Sequence, residues 1–134
     1  MAQNFSHLMA TGRRKTSVAQ VRLVPGGSGR VTINSKPADE YFKGKERHQF
    51  ELFRPISLVE AAQKYDFVLK ILGGGQTGQA EAGRLAIAKV LVTLDEKNRK
   101  AMRAHGFLTR DPRMVERKKS GQPKARKRFQ YSKR

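Results

Sequence analysis

Residues 67–91 read FVLKILGGGQTGQAEAGRLAIAKVL. Phe67 to Leu72 is an almost unbroken apolar run with β-branched members, the pattern of a central strand of a sheet. Gly73 to Gly78 then punctuates the chain. From about Gln79 to Leu94 the apolar residues Ala80, Ile87, Leu91 and Leu94 share one helical face, and Gly83 allows close approach to the sheet. Strand, glycine turn and long helix fix the middle of the fold. Gly73, Gly75 and Gly78 also match the spacing G-x-G-x-x-G of a dinucleotide-binding turn. That chemistry needs a second parallel strand ending in an acidic residue, and the acids at the required distance, Asp95 and Glu96, stand in helical sequence. A tight turn with positive φ is the better reading. A subsidiary one is that loop N–H groups and the helix start hold an RNA phosphate.

Upstream, Thr16 to Val24 alternates as a strand with one buried face. Pro25 to Gly29 is a turn, and Arg30 to Ile33 a returning strand, so the pair predicts a hairpin with a long glycine-rich loop. Pro37 suits the first turn of a short helix through Phe42, with Asp39 and Glu40 complementing its dipole. Residues 43–64 suggest two short helices interrupted near Arg54-Pro55. Three consecutive cations, Arg13, Arg14 and Lys15, precede the Thr16 strand. They read either as a solvated strand entry or as phosphate contacts.

Downstream, Asp95 to His105 is an amphipathic, strongly basic helical piece with Gly106 placed as its C-terminal cap. Phe107-Leu108 pins the chain back on the core. Beyond it, residues 110–134 hold eleven Lys and Arg against only Asp111 and Glu116, a net +9 that is half of the chain's +18. This segment has too few apolar residues to recover its ordering entropy by burial, so without a polyanion it is expected to be disordered. The division is therefore a globular domain, 1–109, and an extended basic tail, 110–134.

The remaining 109 residues are enough for one small core. They are basic too, and such a surface attracts phosphate whatever the nucleotide sequence. There is no Cys, and His7, His48 and His105 lie far apart, so neither a disulfide nor a metal centre is expected. No segment approaches the ~20 apolar residues of a membrane helix, and the N-terminus lacks a secretory apolar region. A reducing interior compartment follows. Asp111 and Glu116 sit among cations and read as ion pairs rather than catalytic carboxylates, and Ser17 and His48 lack a nucleophile–base context. Neither an enzyme, a cofactor nor a small-molecule substrate is indicated.

GRRKTSVAQVRL at 12–23, GGGQTGQAEAGRLAIAKVL at 73–91, LTRDPRMVERKKSGQPKAR at 108–126 and QYSKR at 130–134 resemble the S-nine family of small-subunit ribosomal proteins in its bacterial or organellar form. Glu81 departs from the pattern, standing where the family has glycine. The resemblance implies an α+β domain of the ribosomal S-five domain-two type. That is a small, mostly antiparallel sheet with helices on one face and a left-handed βαβ crossover. It also implies a place in the head of the small subunit, on the ribosome in the cytoplasm or an organelle, bound to small-subunit rRNA and neighbouring ribosomal proteins. It sends the tail to the peptidyl site, where Lys133 and Arg134, with Arg128, would touch the anticodon stem-loop of tRNA. Arg110, Arg113, Arg117, Lys118 and Lys119 would hold the tail base on rRNA, joined by Lys124, Arg126 and Lys127 and by Arg13, Arg14 and Lys15. Two alternatives stand beside this: a purely structural rRNA clamp, and another basic nucleic-acid-binding protein without tRNA contact. A membrane-surface role is disfavoured because the tail has no apolar face.

Overall fold

In the computed structural model, which describes residues 8–130, Tyr65–Leu72 is the middle strand of a five-stranded sheet. The strands are β1 (Met9–Arg14), β2 (Ser17–Pro25), β3 (Val31–Ile33), β4 (Lys36–Pro37) and β5 (Tyr65–Leu72), in the order β1-β2-β5-β3-β4. All neighbours are antiparallel except β3 and β5, which run parallel. The connection between that parallel pair holds β4, α1 (Ala38–Tyr41), α2 (Glu46–Ser57) and a short 3₁₀ helix (Glu60–Lys64). After β5 come α3 (Gln76–Leu94) and α4 (Asn98–Ala104).

Sheet pairing departs from the expected hairpin of β2 with β3. β5 inserts between them, pairing Val18–Pro25 with Leu72–Tyr65 on one side and Val31–Ile33 with Phe67–Leu69 on the other. β2 instead forms its hairpin with β1, whose last pair is Arg14 with Ser17. The β3–β4 turn is closed by Asn34 and Ser35, both at positive φ. Asn34 also stitches β3 to β5: its side-chain amide donates to the Ile71 carbonyl, and its Oδ1 accepts the Ile71 N–H, each at 3.0 Å.

The sheet buries one face only. Ala19, Val21 and Leu23 of β2, Phe67, Leu69 and Ile71 of β5, and Val31 and Ile33 of β3 are all nearly inaccessible. α3 lies on them and is itself enclosed, with ten of its nineteen residues buried. Its surroundings are broader than one amphipathic stripe requires because α2 packs beside it, placing Leu52 against Gly83 where α3 also meets Leu69 and Ile71 of the sheet. α2 continues through the buried Pro55 to Ser57, so the break expected at Arg54-Pro55 falls three residues later. Gly106, at φ 73°, ends the α4 turn, and Phe107 is buried behind it as expected.

The glycines after β5 serve packing. Gly73 and Gly74 have φ of 78° and 67°. A Cβ on Gly74 would meet Ser17 Oγ at 2.1 Å, and one on Gly78 would meet it at 3.0 Å. Ser17 is buried and donates to the Gly73 carbonyl at 3.0 Å. After α3 the chain enters α4, so among the described residues no further parallel strand follows to complete a dinucleotide fold.

Candidate nucleic-acid interface

Arg13 and Arg14 are adjacent on β1, so their side chains take opposite faces of the sheet. Arg13 stands on the open face and is exposed, whereas Arg14 points inward and is only 8% exposed. A buried guanidinium needs partners for its charge and its donors. Its Nε pairs with Glu81 on α3, Nη2 lies 3.4 Å from Asp111, and Nη1 donates to the Arg113 carbonyl at 2.9 Å. Thus one arginine joins the first strand, the long helix and the start of the C-terminal segment. The Glu81 carboxylate that would repel phosphate is occupied by this guanidinium.

Lys15 opens the two-residue β1–β2 turn at φ 52°, a left-handed conformation uncommon for a lysine. It projects its cation at the hairpin tip beside Arg113, Met114 and Val115, with which it lines a shallow groove. A second concavity is lined by Arg13, Arg84, Arg110 and Arg113 around Glu81 and Asp111. The fold therefore brings the hairpin cations and the base of the basic segment together, although about a hundred residues separate them.

Residues 110–130 contain turns but neither helix nor strand. Asp111 accepts both the backbone N–H and the guanidinium of Arg113. Those bonds, the side-chain ones first, hold the Asp111 carboxyl well below the usual carboxylate range. Glu116 pairs with Lys119 and, at 2.8 Å, with Arg126, and it too is lowered, chiefly by Lys119. A carboxyl lowered on folding stabilises above its unfolded pKa and loses that contribution as pH falls through the folded value. Carboxyl NMR titrations of Asp111 and Glu116 are therefore expected to give midpoints below those of unpaired, exposed Asp and Glu carboxyls, and midpoints equal to them would overturn the pairing. Arg117 donates to the Lys118 carbonyl at 3.2 Å. Arg110, Lys118, Lys124, Lys127 and Arg128 are exposed. Lys133 and Arg134 lie outside the described residues, as does Tyr131.

Two participants escape sequence reasoning. Glu81 was visible only as a departure from a pattern. Arg84 gave no signal; it pairs with Glu51 at 2.6 Å and lies 5.5 Å from the centre of the Phe107 ring, so it helps pin the point where the tail leaves.

Arg14→Ala is expected to cost about 2–3 kcal/mol in chemical denaturation, because it leaves Glu81 and Asp111 without their shared donor. The double change Arg14→Ala with Glu81→Ala should cost less than the sum of the single changes, with a coupling of about 1–3 kcal/mol.

Residues 12–134 match the family model for ribosomal protein S9/S16. The chain is 50% identical over 129 residues to the small ribosomal subunit protein uS9 of Methylacidiphilum infernorum, covering 96% of this chain and 93% of that one. It is 53% identical over 123 residues to the uS9 of Chlorobium chlorochromatii, covering 92% and 94%. Against the uS9 of Bacteroides thetaiotaomicron identity is 50% over 125 residues, covering 93% and 96%.

Proposed function

Taking as premise that the chain belongs to the ribosomal protein S9/S16 family, a structural and non-enzymatic constituent of the small ribosomal subunit, we propose that its basic tail is an arm aimed from rRNA towards peptidyl-site tRNA. The globular part, 1–109, docks on small-subunit rRNA among neighbouring ribosomal proteins. The arm, 110–134, is laid over rRNA and ends at the anticodon stem-loop. One observation carries this: Arg14 holds both Asp111 and the Arg113 carbonyl, giving the arm a fixed origin beside the hairpin cations. From that origin Arg110, Arg113, Arg117, Lys118 and Lys119 meet rRNA first, and Lys124, Arg126 and Lys127 follow. The fifteen residues from Ser120 can span at most ~50 Å at ~3.3–3.6 Å each, which sets the reach.

Lys133 and Arg134, with Arg128, are assigned to tRNA. Arg134 offers a planar fork suited to a phosphate. Backbone contacts carry little sequence information, so different tRNAs should respond alike. The test is to assemble subunits with the protein ending at Ser132 and measure tRNA release from the peptidyl site. Normal subunit yield with release faster by about tenfold, the worth of one charge-assisted hydrogen bond, is the expected result. Unchanged release, or failed assembly, would leave the arm as an rRNA clamp.

A further inference from the structure

Among the described residues, helices cover one face of the sheet, and the other lies open. Its rows follow from the strand register. Met9, Arg22 and Val68 form the first row, Thr11, Gln20 and Lys70 the second, and Arg13, Val18 and Leu72 the third. Each row carries one cation, and rows repeat every second residue, about 7 Å along the strands. Three strands at 4.7–4.9 Å spacing confine these cations to a band about 10 Å wide. Arg13, Arg22 and Lys70 make no ion pair among the described residues. The acid on this face is Asp66 at one end, whose Oδ1 accepts the N–H groups of Ser28 and Arg30.

Apolar side chains alternate with the cations. Met9 is 55% exposed, Val68 38% and Leu72 61%, three of the eight large apolar residues so exposed among the described residues. Exposed apolar residues gathered on one face, rather than scattered, mark a contact surface. An acid-poor face with a cation in each of three consecutive rows selects a polyanion. The row spacing is on the scale of successive phosphates along a nucleic-acid strand, and the intervening apolar groups suit ribose. Among the described residues the face holds no aromatic ring, which argues against base stacking and for contact with the sugar–phosphate backbone of a helical RNA.

Resting on the rRNA reading above, we infer that the open sheet face, through Arg22 and Lys70, is a second rRNA-docking surface, which adjoins the tail base at Arg13. It receives the backbone of an RNA helix and contributes affinity and orientation rather than sequence readout. Docking there would seat the sheet flat on RNA, with α2 and α3 directed away and the tail leaving from the β1–β2 edge.

The test uses the full-length chain and purified, protein-free small-subunit rRNA. Salt dependence of binding is measured for the wild type, for Arg22→Gln with Lys70→Gln, and for Lys43→Gln with Lys45→Gln on the far side as a control. The sheet pair should lower the salt slope by about two units, and the control should not. Thermal melting should be unchanged, because Arg22 and Lys70 touch solvent. In parallel, acylation of Lys70 in the wild type is followed by mass spectrometry, and rRNA should suppress it. An unchanged slope, an equal loss in the control, or unhindered Lys70 acylation beside a steep wild-type slope overturns this inference and leaves the rRNA reading intact. A wild type that does not bind rRNA overturns both. Protection of Lys70 in assembled subunits but not by rRNA alone would assign the face to a neighbouring protein and overturn the RNA assignment.

Discussion

Affinity for small-subunit rRNA is expected to fall by about 10³–10⁵ between about 50 and 200 mM salt, the behaviour of a protein that neutralises roughly 6–10 phosphates. The source is release of condensed counterions, so the slope counts the cations that reach phosphate and ignores those already committed within the protein. The structure makes that count selective. Arg13 and Lys15 are exposed and should each contribute about one unit of slope. Arg14, buried against Glu81 and Asp111, should contribute none. Replacing all three by alanine is therefore expected to lower the slope by about two units rather than three. Filter binding across a salt series checks both figures. A flat response would assign the affinity to shape or apolar contact, and a loss of three units would mean that Arg14 leaves its carboxylates when RNA binds.

That difference between Arg13 and Arg14 also marks what could be read from the chain alone. β5, the glycine turn and α3 were legible because apolar continuity, a glycine cluster and helical spacing follow one another without ambiguity. β1 was not. Its inward positions are Ala10, Gly12 and Arg14, and its outward ones Met9, Thr11 and Arg13, so no apolar alternation announces a strand. Without the strand, three consecutive cations look equivalent. With it, alternate residues face opposite sides, and one of the three becomes an internal partner. The β2–β3 pairing failed for another reason. β3 is three residues long and close to β2 in sequence, and nothing local reveals that β5, arriving more than thirty residues later, takes the place between them. The tail's exposed cations were legible one by one from charge. Their convergence with the hairpin was not, because it depends on Arg14 and Asp111, whose meeting across the sequence is a property of the packed core.

Gly12→Ala is expected to be among the most damaging single-methyl changes in the domain, because β1 and α3 meet there backbone to backbone. A Cβ on Gly12 would lie 2.2 Å from the Ala82 carbonyl oxygen and 2.5 Å from the Ala86 nitrogen. Neither atom can step aside without moving α3, which is packed on the sheet and against α2. Ordinary overpacking costs about 1–3 kcal/mol, and a clash with fixed backbone should reach or exceed the upper end. Gly75→Ala is the matched control, since a Cβ there meets nothing within 4 Å. As the residue preceding α3 it should lose about 1 kcal/mol or less. Urea denaturation of the two variants gives the comparison. The consequence for binding follows from the same contact. Separating β1 from α3 draws Arg14 away from Glu81, loosens its hold on Asp111 and the Arg113 carbonyl, and releases the origin of the tail. At a temperature where the variant is still folded, trypsin should therefore cut at Arg110 and Arg113 sooner than in the wild type or Gly75→Ala. Equal cleavage alongside a large stability loss would show that the tail base is held independently of the β1–α3 contact.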